Sequence, residues 1–289
     1  MISIIIPEHN EPSHIVPMLN QIEKSVAPHF DLEVVIVTSD PGALAFQNQF
    51  TFDIKTVIDI HGSGIARNRG VAESSGDSLL FMDSHCCFDN LVPLFDLLNE
   101  RPDAIIAPGI QPVSFPECVP DGSGIGYGCF FTPSFDWHWI SKESESPFTV
   151  PFCSACFLLM KRQTFDDSII GFIPVEGVGF DEEICMRLHR LGHPTIIQPE
   201  CTVGHVFKKS YPKESTLGFV PSRATALVLS IFDETLFAEI DSLNSERWGD
   251  AWREALSAAH RDFDDLRAIL NEKKPIDECW FFRNLKSEE

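Results

Sequence analysis

Asp83 and His85 stand one residue apart at the end of an apolar run, Ser78-Leu79-Leu80-Phe81-Met82. A continuous apolar stretch of this length reads as a fully buried strand of a parallel sheet. Ligands of open α/β sheets bind just past the carboxyl ends of such strands. Side chains two residues apart on extended backbone point the same way. A carboxylate oxygen and an imidazole nitrogen therefore converge on one point, a donor pair suited to a divalent cation. The competing reading is a polar turn, since Asp-Ser is ordinary turn chemistry.

Other residues with chemical potential are scattered along the chain. Glu8-His9-Asn10-Glu11 follows the first apolar segment, Ile2-Ser3-Ile4-Ile5-Ile6-Pro7. Arg67 and Arg69 lie on a segment opened by Gly62-Ser63-Gly64. That glycine pattern lacks the full spacing of a phosphate-binding loop, and two solvated helix charges are the plainer account. Asp181, Glu182 and Glu183 open a segment that carries Ile184, Leu188 and Leu191 at helical spacing; acids in a first turn suit the helix dipole without any catalytic role. His205 is flanked by Gly204 and followed by Lys208 and Lys209. Cys153 and Cys156 have the spacing of a zinc or redox pair, but no second pair follows at finger spacing, so buried structural thiols are expected. Cys86 and Cys87 read as small apolar fillers.

The elements that must position these residues alternate. Ile15, Leu19, Ile22 and Val26 mark a helix, residues 32–37 and 55–58 read as strands, and residues 65–72 as a helix. After the Asp83 strand come a helix over 90–99, with Leu91, Leu94, Phe95 and Leu98 inward, and a buried strand at 104–107. Repeated alternation predicts a doubly wound α/β sheet, mixed but mostly parallel, with right-handed crossovers gathering the strand ends on one side. Residues 113–149 break the pattern with alternating glycines and then Phe130, Phe131, Phe135, Trp137 and Trp139; a long aromatic insertion is either a functional lid or a second small hydrophobic cluster. Residues 157–160 and 195–197 read as further strands. From Ser222 the chain is helical, with a long helix predicted from Ser245 carrying Trp248, Trp252, Leu256 and Phe263. The division expected is a domain over 1–220 and a helical extension over 221–289.

Composition narrows the function classes. The 289 residues are 44% hydrophobic, as in a globular protein, and carry 43 acids against 22 bases, a net charge of -21. Such a surface repels phosphate polymers and anionic lipid, which disfavours a nucleic-acid partner. No apolar run is long enough for a transmembrane segment. Nine cysteines without a leader pattern suggest reduced thiols in a cytoplasmic protein.

Four segments in order, residues 3–11, 66–70, 80–86 and 203–209, together resemble the GT-A fold glycosyltransferases. Asp83-Ser84-His85-Cys86 and Val203-Gly204-His205-Val206-Phe207 are most similar to the polypeptide N-acetylgalactosaminyltransferases. The resemblance covers residues 2–211 and leaves the C-terminal helices out. It implies a metal-dependent transferase moving a sugar from a UDP-sugar to a peptide, carbohydrate or small-molecule acceptor. Asp83, His85 and His205 would ligate the ion, manganese or magnesium, with imidazole favouring Mn2+. Pro7, Glu8, His9, Arg67, Ser84 and Lys208 would lie at the nucleotide sugar. The acidic pair that ends the second strand in the family is reduced here to Asp40. The Gly-Gly-Glu-Asn of the retaining enzymes is Val178-Gly179-Phe180-Asp181. An aspartate at this place is the base of related inverting enzymes, so inversion is expected with Asp181 as base and Glu182 or Glu183 as weaker candidates. The rival readings are a nucleotidyltransferase, which would need a basic glycine-rich loop after the first strand, and a non-catalytic sugar-nucleotide-binding protein.

Overall fold

The computed structural model describes residues 1–9, 11–39, 49–59, 62–114, 117–141, 144–176, 180–207, 213–273 and 276–282, with backbone alone for 213–217. The N-terminal half runs β1 (Ile2–Glu8), α1 (Pro12–Ser25), β2 (Leu32–Thr38), β3 (Asp53–Ile58), α2 (Ser63–Ala72), β4 (Ser78–Met82), β5 (Cys86–Cys87), α3 (Val92–Glu100) and β6 (Ile105–Pro112). Then follow β7 (Cys129–Phe131), β8 (Trp137–Trp139), β9 (Phe148–Val150), β10 (Phe157–Lys161), α4 (Arg162–Asp167), α5 (Glu183–Arg190) and β11 (Thr195–His205). Helices α6 (Lys213–Ser230), α7 (Glu234–Trp248) and α8 (Asp250–Asn271) and a 3₁₀ turn, Glu278–Phe281, complete the described chain.

The main sheet has the order β3-β2-β1-β4-β10-β6-β11-β5, with β9 added beside β11. Strands β1 to β4 pair in parallel, as do β6 and β11, while β10 runs antiparallel between β4 and β6. This is the mixed, mostly parallel α/β sheet expected. Its central strands are buried on both faces, and the pleat sends alternate residues to opposite sides. Ile4, Ile6, Leu80 and Met82 pack under α1 and α3, while Ile5, Leu79 and Phe81 face the other layer.

That second layer contains the tail. Val220, Leu227, Trp252 and Leu270 share one hydrophobic cluster with Phe81 and Leu158 of the sheet, so the C-terminal helices complete the core. The boundary expected at residue 220 falls inside the continuous α6. The predicted helix from Ser245 is two helices. Gly249, at φ 59°, breaks the chain between Trp248 and Asp250, a left-handed conformation that glycine adopts without a Cβ clash. No described helix is long and apolar enough to cross a membrane.

The cysteines depart from expectation in one place. Cys153 and Cys156 are buried thiols, as predicted, and burial raises both above the ordinary thiol range. Cys87, read as an apolar filler, forms a disulfide with Cys118. The pairing joins residues 31 apart in sequence, which no spacing rule identifies. Disulfides persist in oxidising compartments, so reduced thiols throughout, the ground for a cytoplasmic assignment, do not describe this chain.

Candidate active site

The sheet topology brings the metal-type donors together. Asp83 leaves β4, and its backbone N–H donates to the carbonyl of Cys156 at 3.0 Å. Three residues on, β5 pairs antiparallel with the end of β11, placing Cys86 opposite His205. The predicted short strand at 195–197 is thus the start of an eleven-residue strand, with an irregularity between Gln198 and Thr202, and His205 is its last residue. His85 Nε2 lies 3.1 Å from His205 Nε2, which lies 3.1 Å from Asp83 Oδ2. All three donor atoms fall within 4.8 Å of one another. Adjacent donors on an octahedral divalent ion at about 2.1 Å are about 3 Å apart, so the spacing fits. One carboxylate oxygen and two imidazole nitrogens also form the donor set that a first-row divalent ion takes. His205 Nδ1 is buried without a hydrogen-bond partner among the described residues.

Arg67 occupies a place that its sequence did not reveal. Its side chain is only 3% exposed, whereas Arg69 is solvated and pairs with Glu73. Arg67 Nη2 donates to Asp83 Oδ1 at 2.8 Å and to the Ala155 carbonyl at 3.2 Å, and Nη1 donates to Asp181. The guanidinium thus bridges two carboxylates at the edge of the metal-type cluster. Burial works against the Arg67 charge, but Asp181 and Asp83 outweigh it and raise its pKa. Burial would likewise raise the Asp83 carboxyl, yet the His205 hydrogen bond and the Arg67 charge hold it well below the usual range. Helix α2 seats Arg67 by close packing. A Cβ on Gly64 would come within 2.4 Å of the Ile173 carbonyl, and Asn68 donates to the carbonyls of Ile170 and Phe172 at 3.2 and 2.9 Å. These contacts fix the segment that leads toward Asp181.

The acidic triplet divides three ways. Asp181 is buried, one oxygen on Arg67 and the other, Oδ1, without a hydrogen-bond partner among the described residues. Glu182 accepts from the Ala155 N–H at 3.5 Å; burial, then the neighbouring Asp181 charge, push its carboxyl up to about 7. Glu183 is fully buried, held by Arg187 at 2.8 Å and by Ser230 at 3.1 Å. It is a core ion pair, with both carboxylate oxygens engaged inside the fold. Phe180 packs against Phe131 and Phe135 of the aromatic insertion, with ring centroids at 4.8 and 5.5 Å. Trp139 of the same insertion reaches Phe207, beside His205, at 5.9 Å.

At the end of β1, Pro7 and Glu8 pair in register with Val37 and Thr38. Glu8 is buried and accepts from the Thr38 hydroxyl and, at 2.6 Å, from the Glu11 N–H. His9 is exposed. Ser84 is buried and donates to Glu11 at 3.2 Å. Asp40, Lys208 and the loop 177–179 lie outside the described residues. Glu11, to which the sequence reading assigned no specific role, meets the metal-type cluster. Its Oε2 is 2.7 Å from His85 Nδ1, and its place in the loop after the first strand, inside the 3–11 motif, was the available signal.

Residues 3–168 match the family model described as Glycosyl transferase family 2. The chain belongs to that family. Polypeptide N-acetylgalactosaminyltransferase 11 of Xenopus tropicalis is 26% identical over 234 residues, covering 74% of this chain and 39% of that protein. The inactive polypeptide N-acetylgalactosaminyltransferase-like protein 5 of Macaca fascicularis is 25% identical over 240 residues, covering 74% of this chain and 53% of that one. The chain thus spans about half or less of the length of these curated relatives. Among solved structures, GalNAc-T7 with UDP, GalNAc and Mn2+ superposes with a TM-score of 0.77 at 17% identity, over 99% of this chain and 56% of that one. The family 2 chain therefore has the GT-A fold that its motifs implied.

Proposed function

We propose that this family 2 chain is a divalent-metal-dependent glycosyltransferase that moves a sugar from a UDP-sugar to an acceptor hydroxyl or thiol. The observation that carries this reading is the convergence of Asp83 Oδ2, His85 Nε2 and His205 Nε2. Those three residues would hold Mn2+ or Mg2+, which supplies Lewis-acid neutralisation of the charge on a departing diphosphate. Pro7, Glu8 and His9 line the loop on which the nucleoside would sit, with Asp40 and Lys208 as further donor-site candidates. The catalytic machinery is assigned to residues 1–220, with α7 and α8 buttressing it.

Asp181 is assigned as the base of an inverting displacement. Arg67 spans from Asp83 to Asp181, placing that carboxylate one guanidinium away from the metal ligands. Its Oδ1, buried and lacking a hydrogen-bond partner among the described residues, is the oxygen assigned to take the proton of the attacking group. The elevated pKa of Glu182 supports a second reading, in which Glu182 takes the proton. A peptide acceptor rests on the names of the relatives, and a carbohydrate or small molecule fits the site equally. The inactive relative keeps a non-catalytic sugar-nucleotide-binding role as the rival. The buried acidic end of β1 disfavours the nucleotidyltransferase.

Titration calorimetry of UDP with and without Mn2+, followed by a UDP-release assay over a panel of donor sugars, tests the proposal. Metal-dependent UDP binding and release are expected, both lost in Asp83→Asn, with release but not binding lost in Asp181→Asn. Binding without release from any donor supports the rival. Absence of metal-dependent binding overturns the proposal.

A further inference from the structure

We propose that Glu11 is a positioning residue for the metal centre, fixing the tautomer and ring orientation of His85; this rests on the reading of Asp83, His85 and His205 as the metal site. The His85 ring presents a different nitrogen to each side. Nε2 faces His205 at 3.1 Å, and Nδ1 faces Glu11 Oε2 at 2.7 Å. A neutral imidazole carries one N–H and one lone pair. The carboxylate only accepts, so it selects the tautomer with the proton on Nδ1. The Nε2 lone pair is then left pointing toward His205 and Asp83, where an ion would take it. Carboxylate–histidine–metal arrangements orient ligands in this way, and their loss typically costs about 10–100-fold in metal affinity.

Glu11 is itself held. Its backbone N–H donates to Glu8 Oε1 at 2.6 Å, its carbonyl accepts from the His14 N–H at 3.0 Å, and its Oε2 also accepts from Ser84 Oγ at 3.2 Å. Glu8 is tied in turn to Thr38 at the end of β2. The loop expected to carry the nucleoside and the imidazole expected to carry the ion are therefore joined through one carboxylate. His14 Nδ1 lies 3.4 Å from the same oxygen, and one donor atom from each of Glu11, His14 and His85 lies within 4.8 Å of the others, the spacing a second cation would need. The 2.7 Å contact, below the roughly 3 Å between adjacent ligands of one ion, favours a hydrogen bond over a second ion.

The test uses the full chain, with Mn2+ as the probe. Long-range 1H–15N spectra of the metal-free protein should show His85 protonated on Nδ1, and a mixture of tautomers in Glu11→Ala. Calorimetry should show one equivalent of Mn2+, bound about 10–100-fold more weakly by Glu11→Ala. Glu11→Gln, which keeps an acceptor oxygen, should recover part of the loss and serves as the test if Glu11→Ala does not fold. His85 protonated on Nε2 in the wild type overturns the proposal, as does unchanged Mn2+ affinity in both variants. A second equivalent of Mn2+ lost in His14→Ala also overturns it, in favour of a second cation. A wild type that binds no Mn2+ overturns the reading of the metal site, and the tautomer measurement separates that failure from one of Glu11.

Discussion

Replacing Arg67 by methionine keeps an unbranched apolar stem and removes the guanidinium with its charge. Two carboxylates then lose their counter-ion. Asp83 is 25% exposed and can recruit water, but Asp181 is 9% exposed and already has one oxygen without a hydrogen-bond partner among the described residues. Breaking a buried ion pair by removing one partner costs about 3–5 kcal/mol, because the other charge stays buried and uncompensated. Most of that cost falls on Asp181. For a large domain this corresponds to a fall in Tm of about 10 °C, read by circular dichroism at pH 7.5 and checked by urea titration. The double variant Arg67→Met/Asp181→Asn removes the stranded charge as well. It should be more stable than the single Arg67 variant, with a coupling energy of about 2 kcal/mol or more. A Tm for Arg67→Met within about 2 °C of wild type, or additive effects in the cycle, would refute the argument that Arg67 is a buried counter-ion.

Two further outcomes follow from the acidic triplet. The folded-state pKa of Glu182, about 7, lies above its ordinary value of 4.5, so the native state binds this proton more tightly than the unfolded chain does. Its ionisation therefore removes stability as pH rises from about 4.5 to 7. Glu182→Gln should gain on wild type progressively over that window in denaturant titrations, and a pH-independent difference would count against it. Glu183→Gln leaves Arg187 fully buried without its carboxylate. It should lose about 3–5 kcal/mol in urea unfolding; a loss of catalysis at unchanged stability would return Glu183 to the active site.

The sequence by itself determined the alternation of strands and helices, the central buried strand and the Asp83–His85 pair. Each of these is local: an apolar run, a period of two or of 3.6, two side chains on one side of extended backbone. His205 needed the family motif, because nothing local says that a histidine 120 residues away meets His85. That meeting is made by the antiparallel pairing of β5 with the end of β11. Arg67 and Arg69 are indistinguishable as letters two places apart on a helix; only packing buries one among carboxylates and leaves the other in water. The same holds for Asp181, Glu182 and Glu183, which face respectively an arginine, a backbone amide and the core. The Cys87–Cys118 bond and the role argued for Glu11 are likewise tertiary, since hydrogen bonds and disulfides depend on distances that chain spacing does not specify.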